Sequence, residues 1–179
     1  MARILGYVGM SVDGYIASPD GTLDWLRKYD TIDFGPFAFE TFLEGIRTIV
    51  MGRATYDVVA DHPGPWAYAG KRVFVVTSRP IDRPIGDVEL WTGGIDALVG
   101  HLRALDDGDV WMVGGGLLQQ AFIACGALDQ LELYVVPEIV GAGIPLFPAN
   151  GFSRSIKLVS TDVLPEGCVR LFYEFGATA

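Results

Sequence analysis

Three strand ends in this chain carry residues that suit anion binding. The clearest is Val110-Trp-Met-Val-Gly114-Gly115-Gly116-Leu117-Leu118, an apolar strand running into three consecutive glycines and then a helix. Adjacent glycines reach backbone conformations closed to other residues, and without a Cβ they let a ligand touch the main chain. The unpaired N–H groups and positive dipole end of the following helix make a site of the kind that takes a pyrophosphate. A G-x-G-x-x-G dinucleotide fingerprint would need glycine where the chain has Gln119, so the run is either a different ligand loop or a plain tight turn. A second end follows Thr48–Met51, where Gly52-Arg53-Ala54-Thr55-Tyr56 opens a short helix. Arg53 opposes the helix dipole there, and a phosphate gripped by its guanidinium would account for it. The third follows Arg72–Val76, where Thr77-Ser78-Arg79-Pro80 places hydroxyls and a guanidinium at the position where open α/β sheets bind ligands. Each alone reads equally as a solvated turn; three in one small sheet argue against coincidence.

The elements that must hold these ends follow from the apolar pattern. Short runs rich in Val, Ile, Leu and aromatics, bounded by Gly, Pro, Asp or Ser, read as buried strands over Ile4–Met10, Thr48–Met51, Arg72–Thr77, Val88–Trp91, Val110–Val113, Leu131–Val136, Lys157–Val163 and Val169–Phe175. Helical spacing covers Phe37–Gly45, with Phe39, Phe42, Leu43 and Ile46 on one face, then Ile95–Leu105, and Leu117–Cys125 stopped by Gly126. Helices alternating with apolar strands imply βαβ crossovers and a largely parallel sheet covered on both faces. From Leu131 onward strands and turns replace helices, so the C-terminal strands are expected to pair antiparallel at the sheet's edge. Ser11–Pro36 and Val58–Gly70 are long irregular segments, of a length typical of binding loops and lids.

The 179 residues, half of them hydrophobic, fit a single domain over positions 1–179 that needs neither disulfides nor a structural metal. With 22 acidic and 13 basic side chains the net charge is −9, which argues against nucleic acid or an anionic membrane as the main partner and leaves room for one basic pocket. Cys125 and Cys168 form no C-x-x-C pair and His62 and His101 are the only histidines, so no metal centre is expected and a reducing, cytoplasmic setting fits. No apolar run approaches the roughly 20 residues of a membrane-spanning helix.

The motifs also carry a family resemblance. Met51-Gly52-Arg53-x-Thr55-Tyr56 resembles the dihydrofolate reductase signature around its first cofactor helix, and Val113-Gly114-Gly115-Gly116 resembles that family's second glycine motif. Gly9-Met10-Ser11-Val12-Asp13-Gly14-Tyr15-Ile16-Ala17 resembles the end of its first strand and the start of its mobile active-site loop. Leu131-Glu-Leu-Tyr-Val-Val-Pro-Glu-Ile-Val-Gly-Ala-Gly-Ile-Pro-Leu-Phe147 is closer to the reductase domain of the riboflavin-pathway deaminase/reductase. The similarity runs from Ile4 to Phe175, and the chain is identified as a member of the dihydrofolate-reductase-like, RibD C-terminal family. That resemblance implies an α/β fold with a central, mostly parallel mixed sheet flanked by helices and antiparallel C-terminal edge strands. It also implies an NADPH-dependent reductase and a homodimer. By motif matching, Gly52, Arg53 and Thr55 hold the pyrophosphate and 2′-phosphate region, with Thr77, Ser78 and Arg79 around the adenosine phosphate. Val113, Gly114, Gly115, Gly116, Leu117 and Leu118 cradle the pyrophosphate, with the Gly114–Gly115 peptide cis, and Gly9 and Ile16 flank the nicotinamide.

The substrate half of the pattern departs from dihydrofolate reductase. There a buried carboxylate five residues after a loop tryptophan binds the pterin. Counting from Trp25 reaches Asp30, whereas counting back from Gly52 lands near Gly35-Pro36, where there is no acid. Asp30, Asp33 and Glu40 are the available acids; Asp33 suits a helix start, where an Asp serves equally as a cap. The threonine that partners that acid falls on Val136, and the arginine that clamps the folate tail falls on Lys71, a point charge in place of a fork. Both losses argue against folate. Trp25 and Phe39, with Tyr15, Phe42 and Trp66, are candidates to line a pocket for a flat ring, although Phe39 and Phe42 suit core packing as well. The expected function is therefore an NADPH-dependent reductase of a small heterocyclic substrate other than dihydrofolate. The alternatives are the 5-amino-6-(5-phosphoribosylamino)uracil reductase of riboflavin synthesis and a non-catalytic NADPH-binding protein.

Overall fold

Continuous apolar runs belong in strands buried on both faces, and the computed structural model, which describes residues 1–176, buries most of them so, whereas Val88–Trp91 and Lys157–Val163, read as buried, lie largely exposed at the two edges of the sheet, where each has a neighbour on one side alone. The last three positions of the domain expected over 1–179 lie outside the described residues. Eight strands form one sheet: β1 (Ile4–Ser11), β3 (Ile46–Gly52), β4 (Arg72–Val76), β5 (Val88–Trp91), β6 (Asp109–Gly114), β7 (Gln130–Val136), β9 (Lys157–Val163) and β10 (Val169–Glu174). Their order is β5-β4-β3-β6-β1-β7-β10-β9. Every pairing from β5 to β7 is parallel, and β10 and β9 add antiparallel at one edge. This is the mixed, mostly parallel sheet of the dihydrofolate-reductase-like fold.

Two further expectations need correction. Leu131–Val136 was grouped with the antiparallel C-terminal strands, yet β7 pairs parallel with β1, from Leu5 opposite Gln130 to Ser11 opposite Val136. Helix α5 (Gly116–Ala124) is the reason: it carries the chain back across the sheet, so the strand after it starts from the same end as β6. The helix expected over Phe37–Gly45 is split into a 3-10 turn, Gly35–Phe37, and α2 (Phe39–Gly45). Ala38 between them is extended, at φ −62° and ψ 145°, and Ile46 opens β3 instead of completing a helix face.

The alternation of side chains along each strand divides the core. Ile4 and Val8 of β1, Val50, Phe74, Met112 and Leu131 lie on one face, covered by α4 (Ile95–Ala104) through Leu98 and Leu102 and by α5 through Phe122 and Ile123. Leu5, Ile49, Met51, Val73, Val75 and Trp111 lie on the other, covered by Phe39, Phe42 and Leu43 of α2 and by Tyr56 of α3 (Arg53–Ala60). The long segment after β1 is not structureless. It contains β2 (Tyr15–Ala17) and α1 (Asp24–Arg27), and β2 pairs with β8 (Ile144–Pro145) in a small antiparallel sheet. Those elements are too short for periodicity to show.

The small sheet depends on two glycines. A Cβ on Gly143 would lie 2.2 Å from the Ala17 carbonyl oxygen, and one on Gly116 would lie 2.4 Å from that of Leu146. Gly143→Ala is therefore expected to cost about 1–3 kcal/mol by overpacking. Urea denaturation reads this directly, and an unchanged midpoint would refute the close approach. Tyr68 supplies a second test. Its ring sits edge-on to Trp66 and Trp111 at 5.5 and 5.8 Å, and burial pushes its phenol up to about 12. Since the folded-state value is raised above 10, its contribution to stability is complete below pH 10 and lost as the pH rises through 12. Tyr68→Phe should flatten the alkaline fall in stability across that window, measured by denaturant titrations at successive pH values.

Candidate functional site

Parallel pairing brings the three anion-suited strand ends side by side. The register sets Gly52 opposite Val76 and Met51 opposite Gly114, so the carboxyl ends of β4, β3 and β6 open onto one crevice, with β1 next in order. A Cβ on Gly52 would lie 3.8 Å from the Gly114 carbonyl oxygen, and one on Gly115 would lie 3.6 Å from Thr55 Oγ1. Gly52, Thr55, Gly114 and Gly115 therefore form one continuous surface with little side-chain bulk. Gly114 has φ +120°, a conformation that favours glycine, and the Gly114–Gly115 peptide is cis. Gly115 caps α5 with no side-chain hydrogen bond, which leaves first-turn N–H groups for a ligand. The third glycine, Gly116, is required by packing against Leu146. Val113 is half-buried in the second core face, Leu118 packs against the first, and Leu117 stands 68% exposed at the helix start.

Beside this surface lies an open cavity of about 420 Å³, lined by Arg53, Val76, Thr77, Ser78 and Arg79 and closed by Trp91, Thr92 and Gly93. The last three were not singled out from sequence, although they follow β5 as Thr77–Arg79 follow β4. Arg53 has a local explanation as well as a ligand one. Its Nε donates to Asp57 Oδ1 at 2.7 Å, one helical turn on, and its Nη1 donates to the Pro80 carbonyl at 2.8 Å. The guanidinium thereby ties α3 to the Thr77–Pro80 turn, so its place at a helix start does not require a phosphate. Within that turn Thr77 Oγ1 accepts from the Arg79 N–H at 3.0 Å.

On β1, two residues before its end, Gly9 lies under Leu26 of α1, whose Cδ2 would touch an added Cβ at 3.0 Å. Ile16, on β2, packs on the first core face. Trp25 and Val136 meet in an apolar cluster with Leu26, Tyr29, Ile32, Phe34, Phe37, Tyr134, Leu164 and Cys168, and the Trp25 indole Nε1 is buried there without a partner. Phe39 lies apart from these two. Its ring packs 5.4 Å from Tyr7 and 5.1 Å from Trp111 between α2 and the sheet, a core position. Asp33 is exposed and accepts the Gly35 N–H at 2.7 Å, starting the 3-10 turn, which is the capping role. Asp30 is exposed too; partial burial holds its carboxyl above the usual range, with Glu40 adding to the rise and Arg27 opposing it. Lys71 donates to the Leu43 and Ile46 carbonyls at 3.0 and 2.8 Å, capping the end of α2.

The structure also assembles a polar cluster on the face of β1 and β7 that Gly9 and Val136 occupy. Tyr134 Oη lies 3.0 Å from Glu132 Oε2 and 3.2 Å from the Phe37 carbonyl oxygen, and Tyr7 Oη lies 3.4 Å from that same oxygen. Arg170, only 7% exposed, donates to Glu132 at 2.6 Å and Asp162 at 2.8 Å and lies 4.6 Å over the Phe37 ring. Burial pushes the Tyr7 phenol up to about 12 and the Tyr134 phenol well above the usual range. The loop after β1 is held closed: Asp13 accepts from Ser11 Oγ and from the N–H groups of Val140 and Gly141, and Leu146 N–H donates to the Gly14 carbonyl. Those bonds, the Ser11 hydroxyl first, hold the Asp13 carboxyl below the usual range. Among the described residues no helix is long and apolar enough to cross a membrane.

Comparison with known proteins agrees with this fold. Residues 4–170 match the profile of the RibD C-terminal domain. The uncharacterized protein YwjB of Bacillus subtilis (strain 168) is 30% identical over 167 residues, covering 93% of this chain and 94% of that protein. A candidate riboflavin biosynthesis protein from Shewanella sp. PV-4 superposes with TM-score 0.84 at 28% identity, covering 98% of this chain and 99% of the other. Enterococcus faecalis dihydrofolate reductase, in complex with NADP(H), superposes with TM-score 0.68 at 20% identity over 96% of this chain and 95% of the enzyme, a likeness of fold.

Proposed function

The chain belongs to the RibD C-terminal domain family, and from that premise we propose that it is an NADPH-dependent reductase of a small, flat heterocycle other than dihydrofolate. The observation that carries this reading is the convergence of Arg53, Thr77, Ser78 and Arg79 on one cavity beside the Gly52–Thr55 and Gly114–Gly115 surface. Two guanidiniums and two hydroxyls suit the extra phosphate that distinguishes NADPH from NADH, and bare backbone next to helix N–H groups suits a pyrophosphate. When bound, NADPH supplies the two reducing electrons as a hydride. The protein's part is to hold the dinucleotide along β4, β3 and β6, exclude water near Gly9 and Trp25, and protonate the product.

The substrate class follows from the apolar cluster at the ends of β1 and β7. Tyr134, Phe34, Phe37 and Trp25 present aromatic faces, and Val136 offers no hydrogen bond to a pterin ring. Lys71 is occupied in capping α2, so a folate tail finds no clamp there. A second reading, the 5-amino-6-(5-phosphoribosylamino)uracil reductase of riboflavin synthesis, is favoured by the likeness to the Shewanella protein along nearly the whole chain. Either reaction suits a cytoplasmic setting and two free cysteines.

Fluorescence titration tests the cofactor site. NADPH should bind more tightly than NADH, and Arg79→Ala should weaken NADPH about 10- to 100-fold, the worth of a hydrogen bond to a charged group, while leaving NADH nearly unaffected. Equal affinities would overturn the phosphate site, and NADPH binding without oxidation across dihydrofolate, pterins, the riboflavin precursor and simple quinones would favour a non-catalytic binding protein.

We also propose that the chain pairs with a second copy through β9. This strand ends the sheet with its outer row of main-chain groups unpaired, and Leu158, Val159 and Val163 are exposed on it, Val163 at 88%. An outer edge strand with three exposed apolar side chains beside Lys157 and Asp162 is matched in hydrogen bonds by the same strand about a twofold axis. Light scattering should give twice the 19.4 kDa chain mass, and Val159→Lys should give one chain mass. A monomeric wild type would dismiss the pairing.

A further inference from the structure

We propose that Tyr7 delivers the proton to the substrate, with Tyr134 and Glu132 as positioning residues; this rests on the reductase reading. A substrate that accepts a hydride must also gain a proton at the atom left with the electron pair, and the acids suggested by sequence are poorly placed to give it. Asp33 is committed to the Gly35 N–H, and Asp30 stands exposed at the end of the α1 turn. Tyr7 lies two residues before Gly9 on the same face of β1, about 7 Å along the strand, and its half-buried ring packs 4.6 Å from Phe42 and 5.4 Å from Phe39 while also joining the cluster of Trp25, Leu26 and Phe37 that covers the Gly9 end of the strand.

The hydrogen-bond arithmetic makes Tyr7 the donor. Each phenol carries one proton. Tyr134 gives its proton to Glu132 Oε2, the nearer acceptor at 3.0 Å, and Arg170 fixes that carboxylate by donating to the same oxygen. The Phe37 carbonyl is then left to Tyr7 at 3.4 Å, a long bond, while the Tyr134 oxygen keeps its lone pairs toward Tyr7, whose ring centre is 4.4 Å away. The Tyr7 proton is thus the least firmly held in the cluster. Tyr7 is also the more open of the two rings, since Tyr134 is 4% exposed and Tyr7 only half-buried.

In the step, the Tyr7 O–H bond breaks as an N–H or O–H bond forms on the substrate atom that has taken the electron pair. The phenolate left behind regains its proton from water at the rim, where Glu40 of α2 and Asp30 stand. The charged and titratable groups facing Tyr7 are Tyr134 and Glu132 from β7, Glu40 from α2 and Arg170 from β10. Burial first, then the charges of Glu132 and Glu40, hold the phenol protonated against the opposing pull of Tyr134 and Arg170, so a donor is always loaded in the neutral range. As the phenolate forms, the Tyr134 hydroxyl turns its one proton from Glu132 toward it, so without Tyr134 the phenolate would form less readily.

The test uses the whole chain carrying tyrosines labelled with carbon-13 at Cζ, the Tyr7 resonance being assigned by its loss in Tyr7→Phe. In protein saturated with NADP+, a dihydropterin or 5-amino-6-ribosylaminouracil should move the Tyr7 resonance, and Tyr134→Phe should raise the pH midpoint of Tyr7. Tyr7→Phe should bind NADPH as the wild type does and reduce the single-turnover rate of NADPH oxidation about 100-fold or more, the usual worth of a positioned general acid. A Tyr7 resonance indifferent to both probes, or a Tyr7→Phe enzyme at the wild-type rate, would overturn the assignment and leave the reductase reading standing. Failure of the wild type to bind NADPH would overturn both.

Discussion

The site rests on one constraint, the parallel register of β3 against β6 that sets Met51 opposite Gly114. It brings two glycine-bearing strand ends, far apart in sequence, into one surface, and β4 on the outer side of β3 adds the Thr77–Arg79 turn at the same level. A slip of one residue would turn every side chain to the other face and exchange Ile49 and Met51 with Val50 between two cores. Burial on both faces therefore fixes the geometry of the crevice before any ligand arrives. The glycines contribute their lack of bulk, and the core contributes the alignment.

The polar cluster beside Gly9 and Val136 has a different physical character. An arginine 93% buried is costly unless it is paired, and Arg170 meets two carboxylates and an aromatic face. Such an arrangement adds little net stability over an apolar replacement, but it is specific about where its partners sit. Here the partners lead from Glu132 through Tyr134 to the Phe37 carbonyl, so the same ion cluster that joins β10 to β7 also sets the 3-10 turn against the crevice.

How far the sequence revealed all this depended on whether the signal was local. Gly114–Gly116, Gly52–Thr55 and Thr77–Arg79 announce themselves within a few residues, and parallel pairing made them neighbours. Arg53 was read toward a phosphate although Asp57, one turn on, was visible as a partner. The direction of β7 was misjudged because the absence of later helices outweighed the helix just before it. Tyr7, Glu132, Tyr134 and Arg170 could not be grouped from sequence, since they meet only through the registers of β1 on β7 and β7 on β10. Spacing from Trp25 points at Asp30 and the start of a helix at Asp33, whereas the irregular turns between α1 and α2 leave both exposed.

The stitching of the β1–β2 loop bears on how fast that loop can move. Loops tethered only at their ends fluctuate on nanosecond to microsecond scales. This one is closed by the Asp13 clamp on Val140 and Gly141, by the Gly14–Leu146 bond and by the β2–β8 pairing, all of which must break together for it to swing out. Its opening is thus a local unfolding event, slower than simple loop motion.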